Sequence, residues 1–471
     1  MKVHHGSIPG LSALAILVLV VAGCSDGPSA PDRTSTPPPE NAASPAKSGV
    51  RYLVLLRKTI QASATTTAVA SDVVRLGGRV ERSHGEIGLL QVGDLTPAAV
   101  AELRQQPAVQ AVAMDRRMTW LPPNERQLGG SQALIDDESN QRDAAFFREF
   151  QWNIRRIQAH QAWDVSRQGE GVLVCILDTG VDPRHIDLSG KLNTAISASF
   201  VGTERADRDF HFHGSAMASI VSTNGIGLAS VAPDAELCSV KVLDRNGSGT
   251  FGDVAAGIKY VGDAGRIDGT SRVSVANMSL GVLVPRNDPD VPTLMAALQR
   301  AVDYSTQRGV LFVASAGNDD VNLNNSNLIH LPSQLNNVIS VGATGPIAQT
   351  NFDRLASYSN VGRQGVDVFA PGGEFAFRRN VLADLIMTVC SASIRLAGFE
   401  DCAEGNVYVF SAGTSQSTAH VSGEAAVIES ELPGNQTPAE LTACILRTAD
   451  PLPNPAITAN GRINVLRGQN C

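Results

Sequence analysis

The sequence predicts an α/β protein: a doubly wound, mostly parallel sheet preceded by a small α+β domain of ferredoxin-like layout. Three observations carry this expectation. From Trp152 onward, apolar runs without polar alternation recur at 172–177, 237–243, 273–280, 310–316, 338–343 and 366–370, as in strands covered on both faces. Between them, stretches such as 254–264 and 294–307 space their apolar residues as a helix does, and strand alternating with helix implies a parallel sheet. Upstream, residues 51–118 read as strand, helix, strand, strand, helix, strand, a split βαβ layout.

The chain has 471 residues, enough at about 100–200 per domain for two to four domains. Hydrophobic residues make up 43% and charged residues 18%, which excludes disorder throughout. With 38 Lys and Arg against 46 Asp and Glu, a formal charge of −8 and no long basic run, no nucleic-acid partner is expected.

The first element along the chain is a targeting segment. Lys2 precedes an apolar run over 11–21, too short for the ~20 residues of a stable bilayer span, and small residues follow it, as in a secretory signal peptide. Val21-Ala22-Gly23-Cys24 resembles the bacterial lipobox. That implies a signal peptide over 1–23, cut before Cys24, and a lipid on Cys24 that reaches the membrane; the alternative is an ordinary signal peptide with an incidental cysteine. Six prolines within 27–49 make residues 24–50 an extended tether. Ser25 after Cys24, rather than Asp, implies the outer membrane. The chain is expected to be exported, and either lipid-anchored to the bacterial cell envelope or released extracellularly after processing.

In the small domain the expected strands are 51–56, 79–83, 87–92 and 109–114, and the expected helices 64–76 and 97–105. Its one histidine, His84, stands in the turn-like Ser83-His84-Gly85 and reads as a solvated loop residue. Residues 119–151, rich in Gln, Asp, Arg and Pro without a sustained strand pattern, read as a linker and cleavage region, and 152–471 as the main domain. Apart from Cys24, six cysteines remain, an even number suited to an oxidising compartment, with 15 possible pairings. Cys390 and Cys402 flank a loop, and Cys444 and Cys471 are placed to tie the C-terminal tail to the helix before it. Cys175 and Cys238, each inside an apolar run, read equally well as buried thiols.

Candidate chemistry sits where the apolar runs end. Asp178 follows the run 172–177 directly, and a charge there needs a partner, although a strand-end Asp also caps turns. Asp182 and Asp187 read as turn residues or ion ligands. His213 opens a stretch of small residues expected to form a tightly packed helix, which puts it in the first turn; His211 is its rival, and a structural histidine the plain alternative. Ser415 follows a Gly-Thr turn into an Ala- and Val-rich helix, so its hydroxyl and N–H lie where the helix dipole favours negative charge. An N-cap is the alternative there. His420, further along, points away and reads as a core residue. Asn318, just past Gly317, offers an amide that can join the Ser415 N–H in an oxyanion hole, although Gly-Asn alone is turn chemistry. Taken together, strand-end Asp, helix-start His, strand-end Asn and helix-start Ser fall at one sheet edge, in the chain order Asp, His, Ser.

On "ILDTGVD" at 176–182, "HGSAMAS" at 213–219, "VAP" at 231–233, "VKVLDRNGSG" at 240–249, "MSLG" at 278–281, "SAGN" at 315–318, "GTSQSTAHVSG" at 413–423 and "GRINV" at 461–465, residues from about 152 to 468 resemble the subtilisin family of serine peptidases. The resemblance implies a catalytic triad of Asp178, His213 and Ser415, with Asn318 in the oxyanion hole. It also implies Ser279, Leu280, Gly281, Ser315, Ala316 and Gly317 on the strands that pair with substrate. The expected enzyme is an endopeptidase acting on proteins or peptides, with no cofactor required for catalysis. Region 51–118 similarly resembles the family's inhibitor-type propeptide, which implies a self-processing zymogen held by its own propeptide as an intramolecular inhibitor.

Three departures remove no triad member: Ser215-Ala216 stands for the usual Thr-His, Gln416 for Met and Ala419 for Pro. Asp187 in "HIDL" matches a structural calcium ligand, but 222–230 is short where relatives carry a calcium-binding loop, so no metal ligand is assigned. Two rival readings are a catalytically silent, lipid-anchored binding protein of the same fold, which usually lacks a triad member, and an α/β-hydrolase esterase. The latter needs the order Ser, Asp, His and a Gly-x-Ser-x-Gly elbow, absent around Ser415.

Overall fold

The computed structural model describes residues 49–57, 62–121, 126–132, 140–267, 273–324, 326–395, 397–431 and 436–471, all within one compact unit. The expected signal peptide, Cys24 and the tether up to residue 48 lie outside the described residues. The small domain contains β1 (Tyr52–Leu56), α1 (Ala62–Arg75), β2 (Arg79–His84), β3 (Leu89–Gly93), α2 (Pro97–Gln105) and β4 (Val109–Met114), in the expected order. Its sheet, ordered β2-β3-β1-β4, is antiparallel throughout. Alternate residues leave β1 and β3 in opposite directions: Val54, Leu56, Leu90 and Val92 meet Val69, Val73, Val100 and Leu103 of α1 and α2. Leu53, Leu55 and Leu89 instead join a core of the main domain. One face of this sheet is therefore covered only by the larger domain.

Two expectations are corrected here. His84 is not solvated: it ends β2 half-buried, and burial, with Lys259 and Arg82 nearby, lowers its pKa to about 4. The linker 119–151 contains strand structure, since β5 (Arg117–Thr119) runs into it and β6 (Arg126–Gln132) lies within it. After the short helices α3 (Phe147–Phe150), α4 (Trp152–Arg156) and α5 (Ala159–Ala162) come β7 (Leu173–Asp178), β8 (Ala198–Ser199), α6 (His213–Val221), β9 (Glu236–Lys241), β10 (Ser248–Thr250) and α7 (Phe251–Ile267). Then follow β11 (Val273–Met278), β12 (Val282–Pro285), α8 (Val291–Thr306), β13 (Leu311–Ser315), β14 (Leu328–Leu331), β15 (Val338–Thr344) and β16 (Val368–Pro371). The last long elements are β17 (Ile386–Val389), β18 (Val407–Ala412), α9 (Thr414–Glu431) and α10 (Pro438–Thr448). β5 pairs antiparallel with β10, and β6 with β18. Backbone hydrogen bonds to an existing edge hold both strands, so neither requires side-chain alternation, which is why no strand pattern shows in the sequence.

The main sheet has seven strands in the order β16-β15-β13-β11-β7-β9-β8, every pair parallel. Leu173, Cys175 and Leu177 of β7 share a core with α7 and α8, while Val174 and Ile176 share one with α6 and α9. That is the expected double winding. From β7 the chain fills β8 and β9 on one side and then crosses to β11 on the other, so the sheet order switches at the carboxyl end of β7. Ligand sites in open α/β sheets form at such a point, and Asp178 stands there.

Disulfides join Cys390 to Cys402 and Cys444 to Cys471, as expected, and also Cys175 to Cys238. The third decides the open alternative. Cys175 and Cys238 are register partners on β7 and β9, with Cα atoms 4.4 Å apart. Among the described residues, no helix is long and apolar enough to cross a membrane.

Candidate active site

β7 carries Asp178 out of the sheet and α6 begins at His213. His213 Nδ1 lies 2.8 Å from Asp178 Oδ1 and 2.9 Å from Oδ2, and Oδ1 also accepts the Thr179 N–H at 2.7 Å. Both side chains are fully buried. A carboxylate on Nδ1 keeps the hydrogen on that nitrogen and turns Nε2 into the basic one. The helix comes this close because residue 214 is glycine: a Cβ there would collide with the Gly180 carbonyl and sit 3.1 Å from Asp178 Cβ.

Asp209, which sequence reasoning missed, fixes the start of α6. Its Oδ1 accepts the N–H groups of His211 and Phe212 at 3.0 and 2.9 Å, and its Oδ2 that of Ser215 at 2.9 Å. Thr179 Oγ1 donates to Asp209 at 2.8 Å and accepts the Gly214 N–H at 3.0 Å. Phe212 is held at φ 95°, a costly conformation for a bulky residue that persists only where its surroundings over-determine it. The signal available in the sequence was a carboxylate just upstream of a helix start. The rival His211 stacks on Phe212, with ring centroids 5.1 Å apart.

Ser415 lies in the first turn of α9, stapled to the end of β11. Its Oγ donates to the Ser279 carbonyl at 3.3 Å, and its own carbonyl accepts the Ser279 hydroxyl at 2.8 Å. Asn277 supports Ser279, donating to its Oγ at 3.0 Å while accepting from Ser422 at 3.0 Å. Asn318 Oδ1 accepts both the Thr414 N–H, at 2.9 Å, and the Thr414 hydroxyl, at 2.7 Å. With its oxygen engaged by Thr414, the amide has Nδ2 left as its donor. Thr414 and Asn277 were also missed; a Thr preceding a helix-start Ser was the available signal for the first. His420 lies in the core as expected, with Nδ1 2.7 Å from the Gln416 carbonyl and Nε2 2.8 Å from Asn153 Nδ2. Burial lowers its pKa to about 4.

The chain at Trp120 runs beside the segment 279–281 that holds Ser415. Trp120 donates its N–H to the Gly247 carbonyl at 2.9 Å and accepts the Gly281 N–H at 2.9 Å. The chain there is thus held between the β10 edge and residues 279–281. Trp120 is fully buried, edge-on to Phe251 at 4.9 Å, with its indole N–H on the Gly249 carbonyl at 3.0 Å. Arg117 pairs with Asp244, Arg116 with Asp288 and Asp290, and Arg82 with Asp253. β6, beyond, pairs with β18, which leads into Ser415, with Arg126 opposite Ala412.

Residues 169–469 match the Subtilase family. The chain belongs to that family. It is 33% identical over 323 residues to a thermophilic serine proteinase of Bacillus sp. (strain AK1), covering 68% of this chain and 67% of that one. It is 32% identical over 315 residues to subtilisin Savinase of Lederbergia lenta, covering 66% and 96%. The crystal structure of the epidermin leader peptide processing serine protease of Staphylococcus aureus superposes with a TM-score of 0.71 at 22% identity, covering 90% of this chain and 98% of that one, a likeness of fold. The chain is accordingly a subtilisin-like serine endopeptidase, a hydrolase with protein or peptide substrates, and subtilases need no cofactor for catalysis.

The residues present do not fit a subtilase calcium at Asp187. Its Oδ1 accepts the Ile226 N–H at 2.9 Å, and its Oδ2 accepts those of Gly227 and Leu228 at 3.1 and 3.0 Å and the Tyr408 hydroxyl at 2.8 Å. Donor hydrogens thus point at the lone pairs a cation needs. The upstream segment is clipped to the same loop directly, Asn140 N–H to the Gly225 carbonyl at 3.2 Å and Gln141 Nε2 to the Thr223 carbonyl at 2.9 Å. Asp187→Ala should therefore lower the melting temperature by the same amount with and without added calcium, as read by calorimetry. A fall that added calcium enlarges would refute this.

Proposed function

We propose that the chain is a self-processing precursor whose peptidase centre consists of Ser415, His213 and Asp178, with Asn318 and the Ser415 N–H as the oxyanion hole. The observation that carries this reading is the buried hydrogen bond between Asp178 and His213 Nδ1 at the sheet edge where α9 begins. Ser415 Oγ attacks the substrate carbonyl carbon and passes its proton to His213 Nε2, while Asp178 holds the tautomer and stabilises the imidazolium. His213 returns the proton to the leaving amine. Water then resolves the acyl-enzyme by the same path, regenerating the Ser415 hydroxyl and releasing the carboxylic acid. The developing oxyanion takes hydrogen bonds from Asn318 Nδ2 and the Ser415 N–H at a helix N-terminus, where no reorganisation is needed.

Residues 279–281 and 315–317 pair with an extended substrate; the Gly281 N–H on the Trp120 carbonyl supports this, being the bond such a peptide makes. Residues 51–118 act as an intramolecular inhibitor, which the buried Trp120 and the Arg117–Asp244 pair support. The self-cut falls after Leu121 and before Arg126. Leu121 follows Trp120, whose carbonyl is bonded to Gly281, and Arg126 opens a strand paired with the approach to Ser415. Sequence alone supports a lipid on Cys24, anchoring the precursor to the cell envelope. Intact-mass analysis after treatment with a serine-directed phosphonate reads both ends of this proposal. One adduct at Ser415 and a diacylglycerol-type increment on chains retaining Cys24 are expected; an adduct elsewhere, or an unlipidated Cys24, overturns the respective part.

A further inference from the structure

His330 belongs to β14, which pairs antiparallel with β12 with His330 opposite Leu283. Its side chain is buried, and its imidazole reaches two glycines of the candidate cleft. A Cβ on Gly281 would collide with the ring, and a Cβ on either Gly281 or Gly317 would lie 2.7 Å from Nε2. Gly281 is the residue bonded to the Trp120 carbonyl, and Gly317 directly precedes Asn318. The Cε1–Nε2 edge of the ring therefore lies against both Gly281 and Gly317.

The protonation of the ring follows from its other contacts. Nδ1 is 3.0 Å from Ser333 Oγ, and that hydroxyl is 3.4 Å from the His330 carbonyl. Assigned from this network, one hydroxyl proton serves both contacts only if it goes to the carbonyl and Nδ1 carries a hydrogen of its own. Nε2 is then a lone-pair acceptor, and it has no hydrogen-bond partner among the described residues. Burial lowers the pKa of the ring to about 4 against the opposing charge of Asp319, so it is neutral near pH 7.

We infer that His330 is the floor of the pocket for the substrate side chain next to the scissile bond, and that it selects short side chains carrying a hydrogen-bond donor over large aromatic ones. This rests on the proposed role of Ser415. The ring against both glycines leaves no depth for an aromatic side chain, and an acceptor left without a partner in the complex disfavours an apolar one.

The test measures kcat/KM on peptides that differ only in the residue before the cleaved bond: Asn, Leu or Phe. The parent should prefer Asn over the near-isosteric Leu by about tenfold or more, with Phe poorest. His330→Leu, which keeps volume but removes the acceptor, should bring the Asn-to-Leu ratio close to one. His330→Gln, which keeps an acceptor, should retain the preference, and His330→Gly should raise the rate on Phe by about tenfold. A parent that favours Phe, or a His330→Leu variant with an unchanged ratio, overturns the inference. Phosphonate labelling at Ser415 separates the two failures. A labelled enzyme with unmoved ratios disproves the role of His330 alone, whereas an unlabelled one disproves the catalytic reading beneath it.

Discussion

Ser415→Ala should accumulate as an uncut precursor with no detectable peptidase activity. No neighbouring hydroxyl can take its place: Thr414 donates to Asn318 at 2.7 Å and Ser417 to the Ala370 carbonyl at 2.9 Å. The loss should span several orders of magnitude. If the proposed triad holds, His213→Ala should match it, because residues of a triad act as a unit and their losses do not add. In the parent, mass mapping should find a new N-terminus after Leu121 and no later than Arg126, while gels of the variant show one full-length band. Expression alone in a protease-deficient host makes the result decisive. Normal maturation of Ser415→Ala there would refute self-processing, and residual activity would refute the nucleophile as well.

The second large effect is on stability and concerns Glu424, inside α9 and fully buried. Burial raises its pKa from 4.5 to about 8; the Asn464 backbone and Arg462 oppose the shift, and Asp450 adds to it. Arg462 cannot neutralise it, being paired already with Asp353 and Asp450 at 2.7 Å each. The folded-state pKa lies above the unfolded one, so the stability that protonated Glu424 provides is fully present below about pH 4.5 and lost as pH rises to about 8. At about 1.4 kcal/mol per pH unit, the folded state should lose about 4 kcal/mol between pH 5 and 8. Glu424→Gln, in a Ser415→Ala background to prevent autolysis, should match the parent near pH 4.5 and melt well above it at pH 8.5. Parallel melting profiles from pH 5 to 9 would show that the buried carboxyl does not titrate in this way.

These two residues differ in how they show in the sequence. Ser415, His213, Asp178 and Asn318 are legible because each sits where an apolar or small-residue run meets a turn, a local feature, and because their order along the chain is itself a signal. Glu424 is only one polar letter in a helix; its cost depends on the groups that surround it in space. His84 was misread for the same reason, since a turn-like triplet says nothing about the Lys259 helix packed against it.

The linker shows the same limit. Residues 126–132 carry no alternation, yet they form a strand, because their backbone groups pair with the free edge of β18 and nothing in their own side chains is required. For Cys175 and Cys238 the sequence leaves a disulfide and two buried thiols equally open, and register decides it by setting them opposite one another on β7 and β9.

By itself the sequence determined the class of the fold, the order of the elements of the small domain and of the main buried strands, and the identity of the four candidate catalytic residues. Hydrophobic period and chain order are written locally and survive without coordinates. The tertiary structure alone decided the Asp178–His213 contact, the clamp of Asp209 on α6, the hydrogen bonds that satisfy Asp187 and the approach of the His330 ring to Gly281 and Gly317. Each joins residues distant in sequence through directional bonds or close packing, and such contacts depend on register, which one-dimensional periodicity does not encode.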